Sequence, residues 1–453
     1  MRTALPKSRS KSFVRPYAPI IQIVHRLFSE KREPTCRGNW IRIMRVTSFA
    51  IRARRELKQI WKLWRGYRFR DLPVVRVTAT GENGPARINL VMPVIAHEKL
   101  FGGLDTAIRF FKSLETFFPR ARVIVLHESE AKFDCSQWPG WALASRDQTA
   151  ARTIAFLDRP DFAPLIDDSD FFIATYWITA YYVTKLLAIQ AGKSERKNPP
   201  FVYLIQDFEP AFYAFSSSYL LADSTYSSDH NILAVINTAM LKEYFDEKGY
   251  RFKQTFIFEP SLNPRIRYYL DRVSQRRKKR LLLVYGRPSS HRNAFELVVE
   301  SLDAWAKRYD EANQWALVSL GERHYDINIS KGLKLRSCGK LPLDEYANYL
   351  LDASVGLSLM VSPHPSYPPL EMAEFGVRVV TNGFANKDLS KRSANIFSVN
   401  NSNPDAIADA LIACCRLHER SGGIAHATKA FLGDGDEFPF VKDIAKVLLA
   451  EVN

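Results

Sequence analysis

The residues of this 453-residue chain best suited to chemistry lie in short stretches that each follow a run of apolar residues. Leu281–Tyr285 (LLLVY) runs into Gly286-Arg287, with Arg292 five residues further on. Two guanidinium groups flanking a strand–loop–helix junction can grip a diphosphate through paired N–H donors. Arginine keeps its charge throughout, so it can neutralise a departing nucleoside diphosphate without a metal ion. For Arg292 alone, a surface ion pair is the alternative. Lys340 follows Gly339 and the run Leu333–Cys338 and adds a cation on the same side, unless it is simply solvated. The segment Ser362–Gly376 (SPHPSYPPLEMAEFG) is stiffened by four prolines and leads into a helix, with Glu371 placed in its first turn. That carboxylate either complements the helix dipole or, beside a nucleotide, grips ribose hydroxyls. Tyr367 of the same segment joins the donor-binding candidates.

Two further stretches precede these. Phe201–Ile205 is followed by Gln206-Asp207-Phe208-Glu209-Pro210, which crowds two carboxylates and an amide at one strand end. Asp207, Glu209 and Gln206 are candidates for orienting an acceptor hydroxyl or supporting a positively charged transition state; a turn or cap role is the alternative for Asp207. Arg87–Pro93 (RINLVMP) is followed by His97–Phe101 and then Gly102-Gly103, at the start of a helix running to Phe118. Tandem glycines allow close backbone approach to a ligand, and a helix N-terminus offers N–H groups to an anion; a plain tight turn explains them equally. Asp168-Ser169-Asp170 and Asp434-Gly435-Asp436 have the spacing of metal-binding carboxylates. The first lies before a predicted strand and the second near the C-terminus, so both read as loop residues and no metal ion is expected.

The elements that must position these residues alternate between apolar runs and helical patterns, as in α/β proteins with parallel sheets. Beyond the runs already named, strands are predicted at Arg122–His127, Phe171–Tyr176, Ile232–Ile236 and Thr255–Glu259 in a first series, and at Trp315–Leu320, Val355–Val361 and Arg378–Thr381 in a second. Asp71–Pro85 reads as a linker, and the charged stretch Arg265–Arg280 as a connection between domains. Two such series imply two doubly wound domains facing each other across a cleft. In open parallel sheets ligands bind outside the carboxyl ends of the strands, where all the candidates lie. The expected divisions are an extension at 1–70, a first Rossmann-like domain at 86–275, a second at 276–425, and a C-terminal helix at 426–453.

Charge is unevenly distributed. Residues 1–70 hold 19 Lys and Arg against 3 Glu, a net of 19 − 3 = +16, which equals the charge of the whole chain and leaves residues 71–453 neutral. Within this extension, the pattern from Trp40 to Trp64 is helical and basic; Leu57, Ile60, Trp61 and Trp64 form an apolar stripe among Arg54, Arg55, Lys58, Lys62 and Arg65. Such a helix suits an anionic membrane surface; docking on the protein's own body is the alternative, and nucleic-acid binding is not expected. No run of about 20 apolar residues is present to span a bilayer, and charges interrupt every early apolar run that could act as a leader. Five scattered cysteines without a C-x-x-C pair point to a reducing compartment. The expected location is the cytoplasm, peripheral to the inner membrane face.

GRPSSHRNAFEL resembles the phosphate-binding turn of retaining GT-B glycosyltransferases, in which a Gly-Arg pair is followed after four residues by Lys or Arg. SPHPSYPPLEMAEFG resembles their nucleotide-binding loop and helix, and YLIQDFEPAFY and FGGLDTAIRFF resemble first-domain loops of WsaF-type rhamnosyltransferases. The likeness spans Arg87 to Asn400 and keeps the order of the motifs. It implies a nucleotide-sugar donor held mainly by the second domain, with Arg287 and Lys340 on the diphosphate, Glu371 on the nucleoside sugar ring, and Gly102-Gly103 on the phosphate from the opposite side. It further implies dTDP-rhamnose as donor, a glycan or lipid-linked glycan as acceptor, retention of configuration, no metal or other cofactor, and a last helix, Phe438–Val452, crossing back to the first domain. One departure stands out. Retaining relatives often carry a glutamate eight residues before the nucleoside-binding one, and that position is Pro363. Another UDP- or GDP-sugar donor is the alternative within this chemistry, and a non-catalytic glycan-binding protein the alternative outside it.

Overall fold

The computed structural model describes residue 72 and residues 74–95, 102–130, 133–145, 150–159, 162–193, 198–227, 229–428, 433 and 436–451. The basic helix expected within 1–70, the loop His97–Phe101 and Asp434-Gly435 lie outside the described residues.

The first sheet has eight parallel strands. Their spatial order is Gln254–Phe258, Ile232–Asn237, Phe201–Ile205, Asp170–Ala174, Arg87–Met92, Arg120–Val125, Arg152–Phe156 and Ala142–Leu143. Helices cover both faces, so the central strands are buried at every residue, as in RINLVM, DFFIA, FVYLI and ILAVIN. Continuous apolar runs of this kind are the mark of a parallel sheet. The order reverses between Arg87–Met92 and Asp170–Ala174, which opens a crevice above their carboxyl ends.

The second sheet repeats the plan with Ile327–Asn328, Lys334–Gly339, Ala316–Gly321, Lys279–Gly286, Ala353–Leu357, Arg378–Asn382 and Ile396–Val399. Only the edge pair Ile327–Asn328 with Lys334–Gly339 is antiparallel. The order reverses beside Lys279–Gly286, again above the carboxyl ends. The two doubly wound sheets form a GT-B fold.

Three features differ from the sequence reading. The linker over Asp71–Pro85 contains a short strand, Thr78–Ala79, paired in parallel with Leu165–Ile166. Arg152–Phe156 and Ile396–Val399 are strands that four or five residues of mixed polarity did not reveal. Asp170 is no loop residue. It begins a strand, is 1% exposed, and accepts from Arg87 Nη2 at 2.6 Å and Asn89 Nδ2 at 3.1 Å. Burial works against its charge, but Arg122 and Arg87 outweigh it and hold the carboxyl below its ordinary range. This buried ion cluster ties the amino ends of the strands together, at the opposite end of the sheet from the crevice.

After the second sheet the chain returns to the first. Phe438, Ile444, Ala445 and Leu448 enter the core formed by Gly103–Glu115 and the first sheet. The Phe438 ring lies 5.2 Å from Phe110 and 5.3 Å from Phe258. The Phe438, Ile444 and Leu448 side chains each contribute roughly 1.5–3 kcal/mol on burial, so the helix Val441–Leu449 fastens the chain end to the first domain. Among the described residues no helix is long and apolar enough to cross a membrane.

Candidate active site

The carboxyl ends of both sheets border one cleft of about 1950 Å³, and Gly102, Gly103, Gln206, Asp207, Glu209, Arg287, Arg292, Lys340, Tyr367 and Glu371 all line it. Their surroundings divide them sharply.

On the second-domain wall, Gly286 and Gly321 end neighbouring strands in register. A Cβ on Gly286 would lie 2.3 Å from Ser319 Oγ, and one on Gly321 would lie 2.7 Å from the Gly286 carbonyl. Only glycine fits there, and the thin backbone lets the Arg287 stem lie over Gly321. Glu322 Oε2 accepts from the Ser289 backbone N–H at 3.0 Å and its hydroxyl at 2.7 Å, which fixes the turn that carries Arg287. Arg287 and Lys340 are both exposed in the cleft. The Lys340 ammonium is held below its ordinary pKa by partial burial and by the Arg287 charge. Two cations set against each other in this way are relieved by a bound anion.

Glu371 accepts from the Tyr346 hydroxyl at 2.8 Å. Burial raises its pKa, with Tyr346 opposing. Its helix begins at Tyr367, so Glu371 stands beyond the first turn, which contains no acidic residue. The helix dipole acts mainly on the terminal turn, so the dipole explanation falls away and the Tyr346-oriented carboxylate facing the cleft remains. Tyr367 accepts from Asn237 Nδ2 of the first domain at 3.3 Å. It bridges the two domains.

The first-domain wall is braced internally. Gly102 caps the helix Gly103–Glu115 with φ +52° and ψ −114°, a backbone suited to glycine. A Cβ on Gly103 would lie 2.9 Å from the Gln206 amide, and Gln206 Nε2 donates to the Gly103 carbonyl at 2.7 Å. Gln206 therefore supports the glycine turn.

Asp207 and Glu209, expected to face an acceptor, are both committed to protein partners. Asp207 Oδ1 accepts from the Phe208 N–H at 2.8 Å and from the Ser362 hydroxyl, and Oδ2 from Arg292 Nη1. Both donor side chains come from the second domain, so Asp207 latches the two domains at the base of the cleft. Arg292, expected on the diphosphate, lines the cleft but is paired with the first domain. It bonds Asp207, and its guanidinium stacks 4.0 Å from the Phe212 ring centroid. The cation beside Arg287 is Lys340. Glu209 Oε2 accepts from the Tyr203 hydroxyl at 3.0 Å and from the Trp177 N–H that opens the helix Trp177–Ala191. Burial pushes its carboxyl up to about 8, with Asp207 adding to the shift. Glu209 thus anchors the start of the helix Trp177–Ala191.

Sequence reasoning missed Gly321, Glu322, Tyr346 and Ser362. Gly321 ends the strand Ala316–Gly321 just as Gly286 ends Lys279–Gly286, and that parallel could have exposed it. The others carry no local signal, because their roles depend on partners distant in sequence.

Residues 87–239 match the N-terminal domain of the WsaF family, and residues 280–412 match its C-terminal domain. An O-antigen biosynthesis protein, RfbC of Myxococcus xanthus, is 31% identical over 233 residues, which is 51% of this chain and 17% of that protein. Among solved structures, sucrose-phosphate synthase from Thermosynechococcus elongatus superposes with a TM-score of 0.48 at 13% identity, covering 81% of this chain and 95% of that one. WaaG, a glycosyltransferase involved in lipopolysaccharide biosynthesis, gives 0.45 at 12% identity, covering 80% and 99%. With both of its domains matched in order, the chain belongs to the WsaF family.

Proposed function

We propose that this protein is a glycosyltransferase of surface-polysaccharide assembly. It moves a rhamnosyl group from dTDP-rhamnose to a hydroxyl of a glycan or lipid-linked glycan, with retention and without a metal ion. The observation that carries this reading is the exposed pair Arg287 and Lys340, at the ends of the two strands that flank Ala316–Gly321, on the same wall as the Tyr346–Glu371 pair. The cations receive the diphosphate and Glu371 accepts from the ribose hydroxyl. During transfer the bond from the sugar C1 to the phosphate oxygen breaks, and negative charge grows on the diphosphate beside Arg287 and Lys340. The acceptor oxygen bonds to C1, and its proton passes to the departing phosphate oxygen. Asp207 and Glu209 hold the acceptor-side wall in place.

The basic stretch at 1–70 fits recruitment to the inner face of an anionic membrane, where a lipid-linked acceptor would be met. The test of the chemistry is product analysis with dTDP-rhamnose, UDP- and GDP-sugars in the presence of EDTA. Rhamnosyl product with dTDP-rhamnose alone is expected. Transfer only from UDP- or GDP-sugars would refute the rhamnose donor, and nucleotide binding without transfer to any acceptor would favour a glycan-binding protein. Flotation with liposomes should require anionic lipid and fail once residues 1–70 are deleted.

A further inference from the structure

Buried polar atoms in folded proteins nearly always have a hydrogen-bond partner. Two on the second-domain wall have none among the described residues. His364 is 4% exposed and lines the cleft. Its Nδ1 lies 3.0 Å from the Ser366 backbone N–H, which can only donate. Nδ1 is therefore the unprotonated acceptor, and the neutral ring carries its proton on Nε2. Burial keeps the ring neutral by pushing its pKa down to about 4, against the pull of Asp207. Nε2–H has no partner.

Asn293 is 2% exposed and also lines the cleft. Its Nδ2 donates to the Leu359 carbonyl at 3.2 Å. That contact fixes the amide orientation, because a flipped amide would set two acceptors against each other. Asn293 Oδ1 is left without a partner. The segments that carry the two residues are joined by the Val361 N–H bonding the Arg292 carbonyl at 2.7 Å. One orphan donor and one orphan acceptor thus stand on adjoining segments of the cleft wall, next to Pro363.

The chemistry of this pair selects its ligand. A diphosphate offers acceptors only; it could satisfy His364 but not Asn293. A hydroxylated ring offers both, since each hydroxyl donates and accepts. We propose that His364 Nε2–H and Asn293 Oδ1 read two hydroxyls of the transferred sugar, the imidazole donating to one and the amide accepting from the other. This inference rests on the glycosyltransferase reading above, and it supplies a neutral sugar contact where position 363 carries no carboxylate.

The test is calorimetric binding of dTDP and of dTDP-rhamnose to the full chain and to His364→Phe, His364→Gln and Asn293→Leu, with UDP/UDP-glucose and GDP/GDP-mannose as parallel pairs. His364→Phe and Asn293→Leu should each weaken the nucleotide sugar about tenfold, the loss of one hydrogen bond, and leave the nucleoside diphosphate unchanged. His364→Gln keeps an N–H donor and should recover most of the loss. Since the two sites are substituted separately, a single unfolded variant does not remove the test. Unchanged affinity for the nucleotide sugar would overturn the inference. So would a parallel loss for nucleotide sugar and diphosphate, which marks a structural role. A wild-type chain that binds no nucleoside diphosphate would instead overturn the glycosyltransferase reading itself.

Discussion

The two walls of the cleft carry similar numbers of polar side chains and use them in opposite ways. On the second-domain wall, Arg287 and Lys340 are exposed at strand ends, and the bond from Ser289 to Glu322 braces the turn that carries Arg287. On the first-domain wall, the conspicuous carboxylates are bound up: Asp207 by Ser362 and Arg292, Glu209 by Tyr203 and Trp177. The first arrangement presents cationic side chains to the cleft. The second builds a rigid frame and closes the base of the cleft. A carboxylate at a strand end is thus a weak sign of catalysis until its partners are known.

The largest effect expected from this contrast is on the exposed side. Arg287→Ala should lower kcat/KM about 10²–10³-fold, the range for removing a fixed donor to a developing anion, with little change in melting temperature; steady-state kinetics and thermal denaturation check both. On the braced side the effect should move to stability. Asp207→Ala leaves Arg292 without its carboxylate and should cost about 2–4 kcal/mol in urea denaturation, while nucleoside diphosphate affinity holds.

Glu209 gives a pH-dependent version of the same contrast. Its folded pKa of about 8 exceeds the ordinary 4.5, so its contribution to stability is fully present below about 4.5 and is lost as pH rises through about 8. In that window the group makes stability fall by up to about 1.4 kcal/mol per pH unit. Glu209→Gln should remove this slope, seen as a smaller difference between urea midpoints at about pH 5 and about pH 8. An unchanged slope would mean that Glu209 is ionised in the folded protein. The smallest effect belongs to Tyr346→Phe, which frees Glu371 from a bond of about 1 kcal/mol and should raise the donor KM about fivefold with kcat nearly constant.

The sequence made one half of this contrast legible. Fully buried parallel strands write continuous apolar runs, so LLLVY announced a strand and Arg287 fell at its end. Gly102-Gly103 and Lys340 were found by the same rule. The other half was hidden because it is tertiary. Asp207 meets Arg292 85 residues away and Ser362 155 residues away, and no local pattern distinguishes a latched aspartate from a catalytic one. The helix start at Tyr367 was equally hard to read: Ser366 stands at the cap position but makes no side-chain cap bond, and prolines continue into the first turn, so Glu371 falls one turn later than the sequence reading places it. Short edge strands such as Ile396–Val399 failed for a third reason: partial exposure breaks the apolar run that marks the central strands.

The central claim is that the second-domain cations, and not the first-domain carboxylates, hold the donor. Isothermal calorimetry of dTDP, UDP and GDP with the wild type, Arg287→Ala, Lys340→Ala and Asp207→Asn tests it most directly. The account predicts that affinity for the preferred nucleotide falls at least about tenfold in each cation variant and holds in Asp207→Asn. Loss in Asp207→Asn with retention in Arg287→Ala and Lys340→Ala would contradict it.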